Sequence, residues 1–244
     1  MTDRLLEVDR ITVGYGPVQA LREVSLHVDA GEMVALIGAN GAGKTTTLRT
    51  ISGMLAPTSG SITLLGDPLH GRPSHQVVRA GVAHVPEGRA LFAGMTVEEN
   101  LQLGFSSQPS DAALYRSRRE LVMDHFPILR ERAAQAAGTL SGGEQQMLVV
   151  ARALMSEPRL LLVDELSLGL APKIVAQLFE ILHAVNATGT AIVLVEQFVH
   201  MALGNTGRAY VLQKGEVVTS GVSSALLDDP DLVESYLGNV AVGA

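Results

Sequence analysis

The glycine-rich turn from Gly38 to Thr45, GANGAGKT, constrains this 244-residue chain more than any other feature. It fits the pattern G-x-x-x-x-G-K-[ST] and stands between a continuously apolar run, Met33 to Ile37, and a helix-forming stretch, Lys44 to Ile51. Strand, loop and helix in that order build a cradle for phosphate. Gly41 and Gly43 let backbone N–H groups wrap the oxygens, and the helix N-terminus adds positive potential. Lys44 reaches the terminal phosphates, and the Thr45 hydroxyl is suited to ligate Mg²⁺. The turn therefore predicts a site for a nucleoside triphosphate with Mg²⁺.

The rest of the chain fits that start. Residues 5–13 and 24–28 alternate apolar with polar side chains and predict an antiparallel opening layer, which the segment 61–68 rejoins. The run 82–85 returns to a buried sheet, and Pro86 and Gly88 then break the chain. From Arg89 to Arg152 strand patterns vanish, and helical spacing is found near 97–104, 111–124 and 142–155. Beyond it the spacing predicts a strand at 159–164, a helix at 172–185, a strand at 190–195, a helix near 198–203, and strands at 208–212 and 215–219. Alternation of this kind predicts a mainly parallel α/β sheet. The expected fold is a phosphate-loop NTPase (RecA-like) core with an antiparallel β layer and an inserted α-helical subdomain. Residues 1–244 form one domain on this reading, 1–88 and 153–244 being the core and 89–152 the helical part.

Charge and cysteine content exclude several classes. Eighteen Lys+Arg against 25 Asp+Glu leave a net charge of −7, which would not concentrate nucleic acid or anionic lipid. The helical part carries seven Arg and seven acidic residues, so the acidic excess lies in the flanking segments. With no Cys the chain is not a disulfide scaffold. Its start, MTDRLLEVDR, has scattered charges and no signal-peptide core, so a cytoplasmic protein is expected. The longest apolar runs, Leu160 to Val163 and Ala191 to Val195, fall far short of the roughly 20 residues that span a bilayer. Any membrane role must pass through a partner.

Two further motifs carry chemistry. Leu160 to Glu165, LLLVDE, puts Asp164 and Glu165 at the carboxyl end of a buried strand, the edge where open α/β sheets bind ligands. Alone, such a pair reads as a helix N-cap or a solvated turn. Beside a phosphate loop it reads as a metal acid, Asp164, followed by a general base, Glu165. Leu140 to Gln146, LSGGEQQ, places the N–H groups of Ser141, Gly142 and Gly143 at a second helix N-terminus, either an anion site or a capped loop end.

With LSGGEQQ beside GANGAGKTT and LLLVDE, the chain from about Leu5 to Gly238 resembles the nucleotide-binding subunit of ATP-binding cassette transporters. LSGGE is the specific motif; the other two are shared by many nucleotidases. The resemblance implies a head-to-tail dimer with a second ATPase subunit, a heterodimer in the transporter, each ATP lying between one phosphate loop and the other LSGG turn. It implies Tyr15 as the ring stacking on adenine, although Tyr15 alone reads as a packing tyrosine in a strand-to-turn segment, and only its position upstream of the first helix supports stacking. Gly38 and the stretch Asn40, Gly41, Ala42, Gly43, Lys44, Thr45 and Thr46 become the phosphate and Mg²⁺ loop. Two integral membrane permease subunits and, indirectly, a substrate-binding protein are the implied partners. They place the chain peripherally on the cytoplasmic face of the inner membrane. The segments Glu87 to Phe92 and Thr96 to Gly104 are implied to line a groove for a permease helix, although Leu91, Phe92 and Met95 on their own read first as core residues of the insertion.

Three departures narrow the resemblance. Glu87 in VPEGR replaces the usual Gln, Gln197 in LVEQ replaces the usual His, and Gly169 in SLGLAP replaces a common Asp. With MTVEENL these features resemble the shorter ATPase subunit of branched-chain amino-acid importers, although Leu166 stands where that group usually has Pro. Glu87 offers Mg²⁺ a hard oxygen but adds negative charge near the γ-phosphate, and Gln197 donates a hydrogen bond but cannot become cationic. Importers for amides, urea or other amino acids share the implied machinery. A soluble cassette ATPase acting on nucleic acid or ribosomes would bring coiled-coil insertions or a second cassette, and a phosphate-loop GTPase would bring N-K-x-D; the sequence has none of these.

Overall fold

The computed structural model describes residues 4–109 and 111–229. Residues 1–3 and 230–244, at the outer ends of the two core segments, lie outside the described residues, as does the end of the resemblance at Gly238. The chain opens with a hairpin, β1 (Arg4–Tyr15) and β2 (Val18–Asp29). Both strands are longer than the apolar alternation predicts, because their ends pair over exposed residues beside the turn. β3 (Met33–Ile37) is buried throughout and feeds through the glycine turn into α1 (Lys44–Ile51). Then come β4 (Ser59–Leu64), β5 (Asp67–Pro68), the short helix α2 (Ser74–Arg79) and β6 (Val82–Val85).

Between Arg89 and Arg152 the described residues are helical or irregular: α3 (Val97–Phe105), α4 (Ala112–His125), α5 (Pro127–Glu131) and α6 (Gly142–Leu154). Caps explain the starts. Thr96 and Glu99 close a capping box on α3, the Asp111 side chain accepts from Ala113 and Leu114 N–H on α4, and Pro127 opens α5. α3 and α6 touch at Gly104, where a Cβ would stand 2.1 Å from the Arg152 carbonyl oxygen. The chain finishes with β7 (Leu160–Asp164), α7 (Pro172–Ala187), β8 (Ala191–Val195), α8 (Val199–Gly204), β9 (Arg208–Gln213), β10 (Glu216–Val222) and α9 (Ser223–Leu227). The helices α2, α5 and α9, of six, five and five residues, were absent from the sequence expectation. One to two turns are too short to show a 3.6-residue period.

Two sheets result. The first has the order β2-β1-β4-β5 and is antiparallel throughout, so the segment 61–68 does rejoin the opening layer. The second has the order β10-β9-β3-β8-β7-β6, parallel except for the β9–β10 pair. Its central strands are apolar on both faces because both are covered. On β7, Leu161 and Val163 join the core shared with α6 and α7, while Leu160 and Leu162 join the core shared with the antiparallel layer and α1. β8 alternates in the same way, with Ile192 and Leu194 on one face and Val193 and Val195 on the other. Each fully buried Leu or Val here contributes about 1.5–3 kcal/mol of burial free energy. The result is a rigid floor from whose carboxyl edge the functional loops rise. The Tyr210 hydroxyl links the layers, accepting from His27 N–H at 2.9 Å.

Candidate functional site

Four adjacent strands, β3, β8, β7 and β6, deliver the phosphate loop, Gln197, Asp164–Glu165 and Glu87 to one edge of the parallel sheet. The loop after β3 can only be glycine-rich. Gly38 has φ 152°, and a Cβ there would stand 2.1 Å from the Leu212 carbonyl oxygen; at Gly43, φ 110°, it would stand 2.5 Å from the Leu21 side chain. Strand β9 and the opening hairpin thus close on the back of the loop, and its front, from Ala39 to Gly41, stays exposed. Asn40 and Gly41 are in that exposed front, Ala42 is buried behind it, and Thr45 and Thr46 are half-buried in the first turn of α1.

Lys44 is 6% exposed and donates from Nζ to the carbonyls of Gly38 at 2.8 Å and Ala39 at 3.2 Å. Burial lowers its pKa, while the charges of Glu165 and Asp164 pull it back up. Its ammonium therefore lies within the field of both acids. Tyr15, at the end of β1, is exposed, and its hydroxyl lies 3.5 Å from the Thr46 hydroxyl. It is not a core tyrosine; its ring stands at the rim of the loop.

Asp164 is 1% exposed, yet neither of its carboxylate oxygens has a hydrogen-bond partner among the described residues. Burial pushes its pKa up to about 6; Glu165 and Glu87 add to the rise, against the Thr45 side chain and Lys44. A buried acid with two free oxygens beside a threonine hydroxyl is a fitting donor set for a hard cation such as Mg²⁺. Among the described residues no group of three or more acids or histidines surrounds a metal-sized point. The ion would then owe most of its ligands to phosphate and water. Glu87 is exposed and acts on Asp164 through its charge.

Glu165 is half-buried, with φ 48°, a left-handed backbone that costs a side-chain-bearing residue about 1–2 kcal/mol. Its N–H donates to the Val195 carbonyl at 2.9 Å, tying the end of β7 to the end of β8. Gln197 is exposed and is not a cap for α8, whose N-cap is Phe198 with no side-chain cap bond. It is thus free to face the loop edge. The neighbouring Glu196, which the motif LVEQ also contains, escaped the sequence reading. It is 1% exposed and accepts from the Ser167 N–H at 3.1 Å and the Ser167 hydroxyl at 2.6 Å.

The LSGG turn corrects one expectation. Ser141 is the N-cap of α6, and its own N–H donates to the Glu144 carboxylate at 2.8 Å in a capping box. That N–H is taken, so an anion would find the N–H groups of Gly142 and Gly143 and the Ser141 hydroxyl instead. Arg89 packs against Gly142, its guanidinium lying 2.7 Å from where a Cβ would stand. Among the described residues no hydrogen bond or ion pair joins this turn to the phosphate loop of the same chain. The LSGG turn and the phosphate loop are separate features of one subunit.

The family model for ABC transporters matches residues 21–167, from β2 to the segment beyond β7. The chain belongs to the ABC transporter family. It is 48% identical over 235 residues, 96% of this chain and all of the relative, to the high-affinity branched-chain amino acid transport ATP-binding protein BraG of Pseudomonas aeruginosa. It is 34% identical to the probable branched-chain amino acid transport ATP-binding protein LivF of Archaeoglobus fulgidus, covering 97% of this chain and all of the relative. Among solved structures, an ATP-binding subunit of an ABC transporter superposes with a TM-score of 0.82 at 32% identity, covering 96% of each chain. The chain is therefore a transporter ATPase cassette with the expected phosphate-loop fold.

Two departures of this cassette have local structural reasons. Gly169 has φ 70°, so the Asp common at this place would sit in a strained backbone here. Leu166 is 1% exposed and packs into the core beneath the loop, an apolar anchor in the place usual for Pro.

Proposed function

We propose that this cassette hydrolyses ATP to drive an importer for branched-chain amino acids. The observation that carries the proposal is the buried, partnerless carboxylate of Asp164 at the carboxyl end of β7, in the field of Lys44 and Glu165. The 48% identity to BraG over 96% of this chain supports the choice of solute. Loop N–H groups and Lys44 bind the triphosphate, Tyr15 stacks on the base, and Gln197 donates to the γ-phosphate. Thr45 and Asp164, with Glu87 nearby, would hold Mg²⁺, which supplies charge neutralisation at the phosphates. Glu165 accepts the proton of the attacking water.

The separation of the LSGG turn from the phosphate loop supports a head-to-tail pair, in which a second ATPase subunit offers Ser141, Gly142 and Gly143 to the ATP of the first. In the transporter this pair is a heterodimer. Residues 89–152 act as the helical subdomain, and 1–88 with 153–244 as the core. Their junction holds a cleft of about 370 Å³ lined by His84, Phe92, Leu103, Gly104 and Arg152, with Phe92 54% exposed. Exposed apolar surface in such a cleft supports docking of a permease helix. Among the described residues no helix is long and apolar enough to cross a membrane, so attachment to the cytoplasmic face would run through two permease subunits, with the substrate-binding protein acting at a distance.

Glu165→Gln tests the chemistry. It should keep ATP binding and lower turnover by about a hundredfold or more, the loss expected for a general base. A variant as fast as the parent would move the base elsewhere. Gln197→Ala should lower hydrolysis by weakening the γ-phosphate contact, whereas Gln197→His should sustain it with a pH profile shifted near neutrality, where imidazole titrates. ATPase assays of the assembled transporter between pH 6 and 8, about the histidine range, read both. An alanine variant with the parental rate removes Gln197 from the site.

A further inference from the structure

We infer that Glu196 is a positioning residue for hydrolysis, holding the Glu165 backbone in its left-handed conformation through its two hydrogen bonds to Ser167. The inference rests on the proposed role of Glu165 as base. Glu196 is among the most buried acids of the described chain, and the chemistry above gives it no task. Burial raises its pKa while the Ser167 and Gln197 hydrogen bonds oppose the rise. A carboxylate in such a place is costly unless its bonds do something that an apolar residue would not.

The geometry shows what they do. Three points fasten the segment after β7: the Glu165 N–H bonded to the Val195 carbonyl, the Leu166 side chain sunk in the core, and Ser167 doubly bonded to Glu196. A non-glycine residue at φ 48° persists only where its surroundings over-determine it. The first fastening holds Glu165 at its own N–H, and the Ser167–Glu196 pair fixes the chain two residues on. Loss of the pair lets Glu165 relax toward an ordinary backbone and swings its carboxylate away. Glu196 also directly precedes Gln197, so one side chain sets the registration of both loop ends.

Glu196 substitutions separate positioning from charge and from bulk stability. In Glu196→Gln the amide oxygen accepts from the Ser167 N–H and the amide N–H donates to the Ser167 hydroxyl, so both bonds survive. In Glu196→Ala both are lost. We expect Glu196→Ala to lower kcat about tenfold with KM within about twofold of the parent, and Glu196→Gln to restore kcat to within about twofold. Ser167→Ala, which keeps the N–H bond, should fall between them at about threefold, and it carries the test should the alanine variant at 196 fail to fold. Parental kcat in Glu196→Ala, or in Ser167→Ala if that variant stands in, overturns the inference. So does a Gln variant as slow as the Ala variant, or a lowered melting temperature with kcat per folded molecule unchanged. All of these rates are read in the assembled transporter, and a parental transporter without ATPase activity would instead sink the proposed function, so the two failures are told apart.

Discussion

Lys44→Ala should abolish ATP hydrolysis and weaken ATP binding in an otherwise folded chain. Lys44 is the one side-chain cation of the phosphate loop, and it is held where few substitutes fit. Its ammonium donates to two carbonyls of its own loop, and it lies in the field of Asp164 and Glu165. Alanine removes a charge-assisted donor, about twice as strong as a neutral one, from the phosphates. It also leaves both acids without their nearby cation, so bringing a polyanionic triphosphate to the site becomes more costly. Arginine is no remedy, because a planar fork needs more room than a point charge. Hydrolysis by the assembled transporter, nucleotide affinity by calorimetry and melting temperature read the outcome. Parental hydrolysis in a preparation free of other ATPases would falsify the assignment of the loop.

How far the sequence alone reached depended on whether a feature was local. The phosphate loop was legible because its glycines answer to their own backbone angles, before β9 and the opening hairpin close behind them. Runs such as LLLVD and AIVLV were legible because both faces of a central parallel strand are dry. The capping box at Ser141 and Glu144 was present as S-x-x-E spacing, and it could have shown that the Ser141 N–H was already engaged. Contacts distant in sequence were not legible. Ser167 and Glu196 are 29 residues apart and meet only because β7 and β8 are neighbours. Arg89 meets Gly142 because α6 folds back beneath the loop after β6, and no periodicity announces that.

Asp164→Asn should stop Mg²⁺-supported hydrolysis while making the nucleotide-free chain more stable at neutral pH, a combination that a merely structural acid would not give. The folded pKa of about 6 stands above the ordinary 3.8, so the fold disfavours the charged form. Between pH about 4 and about 6 the unfolded chain has released this proton while the folded one retains it, so stability from this group falls as pH rises through that window. Above it the parent carries the full penalty. Two pKa units amount to about 3 kcal/mol, a ceiling because the asparagine amide must itself be desolvated. Denaturant unfolding at pH 5 and pH 7.5, about either side of the folded pKa, should show the variant's advantage growing with pH. The same substitution deletes the hard anionic oxygen on which the cation site depends, so ATPase activity should vanish across the Mg²⁺ range. A variant less stable than the parent at the higher pH would mean that Lys44 and the Thr45 side chain outweigh burial at Asp164. A variant that still hydrolyses ATP would mean that the metal acid lies elsewhere. The expected pairing of gained stability and lost turnover follows from one cause: the fold holds a charge that water would solvate better, beside the loop where a cation and a triphosphate must meet.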